Sequence, residues 1–107
     1  MSNPTAPEVV ITLDRERRLR FDFNAAAHFE AATGRNIFEP GVLTKPTATT
    51  TRALLWCMLV HEDPQLTLDD VGKMINFQNF VGISAQINKA YEANTPDGGG
   101  KKRPLAP

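Results

Sequence analysis

Residues 9–23, VVITLDRERRLRFDF, carry two runs in which apolar and polar side chains alternate. Val9, Ile11 and Leu13 alternate with Val10, Thr12 and Asp14, the period-two pattern of a strand. Leu19, Phe21 and Phe23 alternate with Arg18, Arg20 and Asp22 in the same way. The polar stretch Asp14-Arg15-Glu16-Arg17 between them reads as a turn, so the pattern predicts a β-hairpin with one apolar face. A lone hairpin is marginal in water, and that face must therefore pack on helices.

The rest of the chain supplies those helices. Asn24 is a suitable N-cap for a helix over Ala25–Thr33, which Gly34 stops. Ala25, Phe29 and Ala32 form its narrow apolar stripe. Residues 35–49 contain Pro40, Gly41 and Pro46 and read as a connector, with one turn near Ile37-Phe38. Thr49 to Thr51 can cap a second helix running to about His61. Its centre, Ala53 to Val60, is apolar all round, as a buried central helix should be. Thr67 and Asp70 make a capping-box-like start to a third helix with Leu68, Val71, Met74 and Ile75 on its core face. Asn76 to Asn79 reads as a break. Phe80, Ile83, Ile87 and Tyr91 then recur at helical spacing and define a fourth helix.

The predicted fold is α+β and mainly helical: an N-terminal β-hairpin packed on about four α-helices, with a disordered C-terminal tail. Residues 1–7 read as a flexible lead-in, 8–93 as a single domain, and 94–107 as a flexible tail rich in Gly, Pro and Lys. At 107 residues, 41% hydrophobic and 22% charged, the chain has the composition of one ordinary globular domain. Twelve basic and twelve acidic side chains balance, so nothing global points to nucleic acid or an anionic membrane. The first ten residues lack the basic and apolar regions of a signal peptide. The longest apolar run is eight residues, against the roughly 20 of a membrane span. A reducing, aqueous compartment is expected.

Cys57 is the only cysteine. It shares a helix face with His61, and His28 is a conceivable third member of a metal or nucleophile cluster. Yet Cys57 lies inside the most apolar run, where a free cysteine behaves as a small hydrophobe, and the core reading prevails. Glu62-Asp63 and Asp69-Asp70 flank helix boundaries, where acids serve as caps rather than as an acid–base pair. Arg15, Arg17, Arg18 and Arg20 read as a solvated strand face, because no aromatic side chain shares it to stack bases. Gly98-Gly99-Gly100 lacks the strand and helix that a phosphate loop needs. No catalytic residue, cofactor or metal site is predicted, and the chain reads as a non-enzyme with no small-molecule substrate. Trp56, Phe77, Phe80 and Tyr91 remain as candidate hydrophobic anchors for a protein partner.

Three stretches taken together resemble a known family: residues 19–25, LRFDFNA; residues 29–34, FEAATG; and Arg52-Ala53-Leu54-Leu55-Trp56 leading into residues 61–72, HEDPQLTLDDVG. Their order is similar to that in the small tail assembly chaperones of long-tailed phages, including the related tail proteins of gene transfer agents, and the likeness spans about residues 9–92. The resemblance implies a role in the cytoplasm of a bacterial host, binding the tape measure protein and helping tail tube protein assemble around it. It implies no catalytic motif. After Asn76 the chain departs from the commoner pattern, with Ser84, Gln86 and Asn88 making the last helix more polar. Self-association is left open. The competing readings are a minor tail component retained in the particle and a small regulatory adaptor unrelated to phage. A chaperone of this composition should bind mainly through apolar contacts and lose little affinity at moderate salt.

Overall fold

The computed structural model describes residues 8–45 and 47–94. The predicted lead-in and all but the first residue of the predicted tail lie outside the described residues.

Strands β1 (Glu8–Thr12) and β2 (Glu16–Arg20) form an antiparallel hairpin in which Val9 faces Leu19 and Ile11 faces Arg17. The turn is shorter than predicted. It occupies residues 13–15, closed by Leu13 N–H donating to the Arg15 carbonyl at 2.9 Å, and Glu16 and Arg17 join the ladder instead. The Asp14 carboxylate accepts from Arg17 Nε at 2.7 Å and from Nη2 at 2.9 Å, a bidentate pair that ties the turn. Because strand side chains alternate, this register puts Arg17 on the inner face with Ile11 and Leu19. The arginines thus do not share one solvated face, since Arg17 is buried.

Helix α1 (Phe23–Thr33) begins earlier than predicted. Asp22, extended at the end of the strand, is the N-cap and accepts from Ala25 N–H at 2.9 Å, a role expected of Asn24. The chain therefore leaves the strand before Phe23, which becomes the first helical residue and is exposed rather than part of the hairpin's apolar face. Gly34 ends the helix at φ 74°, as predicted, with its N–H on the Glu30 carbonyl. The buried face is Ala25, Ala26 and Phe29, while Ala32 is exposed. In the connector, Ile37 and Val42 are both fully buried plugs.

Helix α2 (Ala48–Leu59) starts earlier than predicted: its N-cap is Thr47, in a reciprocal capping box with Thr50, while Thr49 and Thr51 lie inside the helix, and it ends at Leu59 rather than His61. It is the central helix, packed by α1, β2 and the two following helices. Leu55 and Leu59 are fully buried in the same core as Ile11, Leu19 and Phe21 of the hairpin's inner face, and α2 packs on β2, while Leu13 in the turn is only partly buried. Helix α3 (Leu68–Gly72) begins at the predicted Thr67–Asp70 capping box. It is only five residues long, so Met74 and Ile75 pack as loop residues, partly buried. The predicted break is held by Asn76 and Asn79: each side-chain oxygen accepts the other's backbone N–H at 2.8 Å. Helix α4 (Phe80–Asn94) lays Ile83, Ile87 and Ala90 against β1 and the core. Asn94, predicted to open the tail, is its last residue.

Candidate binding groove

Two hollows flank α2. The larger, about 460 Å³, lies between the first turns of α2 and the segment joining α3 to α4. Ala48 and Thr51 line one side, and Ile75, Phe77 and Phe80 the other. Arg52 crosses its floor beside Gly72. A Cβ on Gly72 would stand 3.1 Å from Arg52 Cδ, so the arginine stem lies close against the end of α3 and would have to give by a few tenths of an ångström for a larger residue.

Phe77 and Phe80 come together in this groove. Phe77 sits in the Asn76–Asn79 turn with its side chain wholly exposed, at 101% of its reference area, while Phe80 is half-buried at the start of α4. Val81, next in the chain, is exposed as well. Arg52 is half-buried and makes no hydrogen bond or ion pair among the described residues. Thr51 has a fully buried hydroxyl without a hydrogen-bond partner.

Trp56 and Tyr91 lie elsewhere. Trp56 is half-buried, donates from Nε1 to the Leu66 carbonyl at 2.9 Å, and meets the edge of His28 at 5.7 Å between ring centres. Tyr91 packs on Phe21 at 5.2 Å and Phe38 at 6.3 Å, and burial pushes its phenol pKa up. The four aromatics singled out in the sequence therefore sit in three places.

The second hollow, about 310 Å³, brings Cys57, His61 and His28 to one wall with Trp56. Its chemistry is quiet. The Cys57 thiol is buried and donates to the Leu54 carbonyl at 3.1 Å, and burial, reinforced by Asp22, pushes its pKa far up, away from the thiolate that nucleophilic or ligand chemistry needs. His61 Nε2 is engaged with the Arg18 carbonyl at 2.8 Å. Among the described residues no group of three His, Cys, Asp or Glu could hold a metal ion.

The acidic pairs have structural work. Glu62 accepts from Arg18 N–H at 3.2 Å, Asp63 stands 3.7 Å from Arg17, Asp69 pairs with Lys73 at 3.4 Å, and Asp70 caps α3. Thr67, donating to the Asp70 carboxylate from its backbone, lowers that pKa. Asp14 is lowered further, to about 2, first by the hydrogen bonds from Arg17.

Arg52 and Gly72 are the groove residues that aromatic spacing did not single out. Their one signal in the sequence is a charge at the entry to a helix otherwise apolar all round. Comparison with known proteins finds no matching family model, no similar curated protein and no similar solved structure.

Proposed function

We propose that this domain is a tail assembly chaperone of a long-tailed phage or prophage, acting in the bacterial cytoplasm by holding a tape measure protein while tail tube protein assembles around it. The observation that carries the reading is the open apolar groove beneath the fully exposed Phe77. An exposed phenylalanine costs solubility and adds nothing to the core, so its placement beside a vacant apolar trough favours binding in trans. The three stretches that resemble the chaperone family support the same role. No helix among the described residues is long and apolar enough to cross a membrane.

The test is co-expression with a tape measure protein encoded in the same genome, followed by purification at low and moderate salt. Co-purification that survives moderate salt is the expected result. Failure to co-purify at any salt overturns the chaperone role. Mass spectrometry of finished particles then separates a chaperone, which is absent, from a minor tail component, which is retained.

A further inference from the structure

We propose that the groove between α2 and the α3–α4 turn docks an amphipathic helical segment of another chain, one that buries apolar side chains under Phe77 and brings a carboxylate to Arg52. The inference rests on the binding role proposed above and names the chemistry of the client at that site.

Charge selects the client. Arg17, Arg18, Arg20 and Arg35 each stand within ion-pair distance of a carboxylate, at 2.7, 3.9, 2.7 and 3.1 Å respectively, while Arg15, without one, is exposed at the hairpin turn. Arg52 has no such partner among the described residues, although it is half-buried against Gly72 and flanked by apolar walls. A guanidinium partly withdrawn from water gains most from a carboxylate, whose two oxygens match its fork of donors. Covering the groove with a purely apolar segment would strip the remaining water from Arg52 and leave a buried charge unpaired. An acidic residue on the incoming segment removes that penalty.

Shape selects the mode. The walls are side chains of helix and turn with no strand edge, so an incoming chain finds no ladder to extend and anchors through side chains, the mode in which an amphipathic helix lays its apolar face into a groove. The other occupants fit less well. The chain's own Lys101-Lys102-Arg103 would bring like charge to Arg52. A second copy seated symmetrically on this groove would turn two Arg52 side chains toward each other.

The test uses the full chain as bait against a random peptide library displayed on yeast. Enriched peptides are then synthesised and measured by fluorescence anisotropy and by amide chemical-shift mapping. The expected peptides place apolar residues at helical spacing beside Asp or Glu, and shift the amides of Gly72 and of residues 75–80. Arg52→Glu and Phe77→Ser should each weaken them roughly tenfold or more. A Lys in place of the peptide's acid should restore binding to Arg52→Glu. Both side chains lie outside the buried core, and an unchanged melting curve for each variant confirms that folding is not the cause.

No enrichment, enrichment of basic peptides, wild-type affinity retained by either variant, or shifts centred on His28 and Trp56 overturns the proposal. A Phe77-dependent dimer of the protein alone does the same, since the occupant is then a second copy. The two readings fail separately. Peptides that bind the groove while the tape measure protein does not co-purify defeat the chaperone role alone. A tape measure protein retained equally by Phe77→Ser defeats the groove alone.

Discussion

At the hairpin turn, Arg17 is 4% exposed and its guanidinium meets Asp14 at 2.7 Å and Asp63 at 3.7 Å, whereas at the head of α2 the half-buried Arg52 meets no carboxylate among the described residues. The fold gathers acids from two distant parts of the chain around the first arginine and none around the second. A charge fully removed from water needs partners within the same chain, because an unpaired one costs several kcal/mol. A charge still partly hydrated can do without them until something covers it. Even Arg17 is imperfectly served: its Nη1 is buried without a hydrogen bond, the 3.7 Å approach to Asp63 being an ion pair only. Arg17 therefore belongs to the architecture, whereas Arg52 takes no part in an internal ion pair among the described residues.

Substitutions test that contrast, beginning with the interior of the helix that bears Arg52. Leu55, fully buried, lies less than one turn further along α2. Leu55→Asp would bury a carboxylate with no partner, and we expect a loss of several kcal/mol that unfolds the domain. Circular dichroism reads this directly, and a cooperative melt near the wild-type temperature would show that α2 is not the centre of the core.

Asp14→Asn should cost about 1–2 kcal/mol, because it removes one of the two hydrogen bonds to the buried Arg17 and leaves its charge opposed only by the more distant Asp63. Denaturant titration measures it. A neutral outcome would place Arg17 in the same class as Arg52 and erase the distinction.

Acid titration probes the same pair without mutation. The Asp14 pKa is depressed from 3.8 to about 2 in the folded protein, so its contribution is fully present above pH 3.8 and is lost as the pH falls toward 2. The carboxylate is 49% exposed, and solvent screening leaves about 1 kcal/mol of the effect. The stability of wild type should fall through that window more steeply than that of Asp14→Asn, as followed by melting temperature against pH.

The smallest effect is expected at Arg52. Arg52→Gln should change stability by no more than about 0.5 kcal/mol, because no internal partner is lost. A loss comparable with that of Asp14→Asn would mean that Arg52 is also a structural residue and that the groove is packed rather than open.

Much of this fold was legible from spacing and end signals. The strand alternation around Ile11 and Leu19, the stop at Gly34, the Thr67–Asp70 cap and the Asn76–Asn79 break all came out as read, because each depends on residues within a few positions of one another. The apolar run of α2 marked the centre of the core for a similar reason: a helix apolar on every side has to be surrounded. Phe77 and Phe80 were visible as aromatics near a break. Their exposure was not, since the same letters fill cores.

What the amino-acid order settled for this protein is therefore the set of elements, the stop at Gly34, the Thr67–Asp70 cap and the helix at the middle. Folding in three dimensions settled the facing of individual side chains. Arg17 points inward because the hairpin register and an acid 46 positions away at Asp63 make room for its charge there. Phe23 is exposed because Asp22 caps the helix one residue before the alternation would have ended. The groove exists because residues 48–52 and 72–80 meet across a gap, with the stem of Arg52 lying close against Gly72. Periodicity and capping are short-range and can be read along the chain. Register, pairing of charges and the walls of a cavity join residues far apart in sequence, and their energies take effect only when the chain has closed.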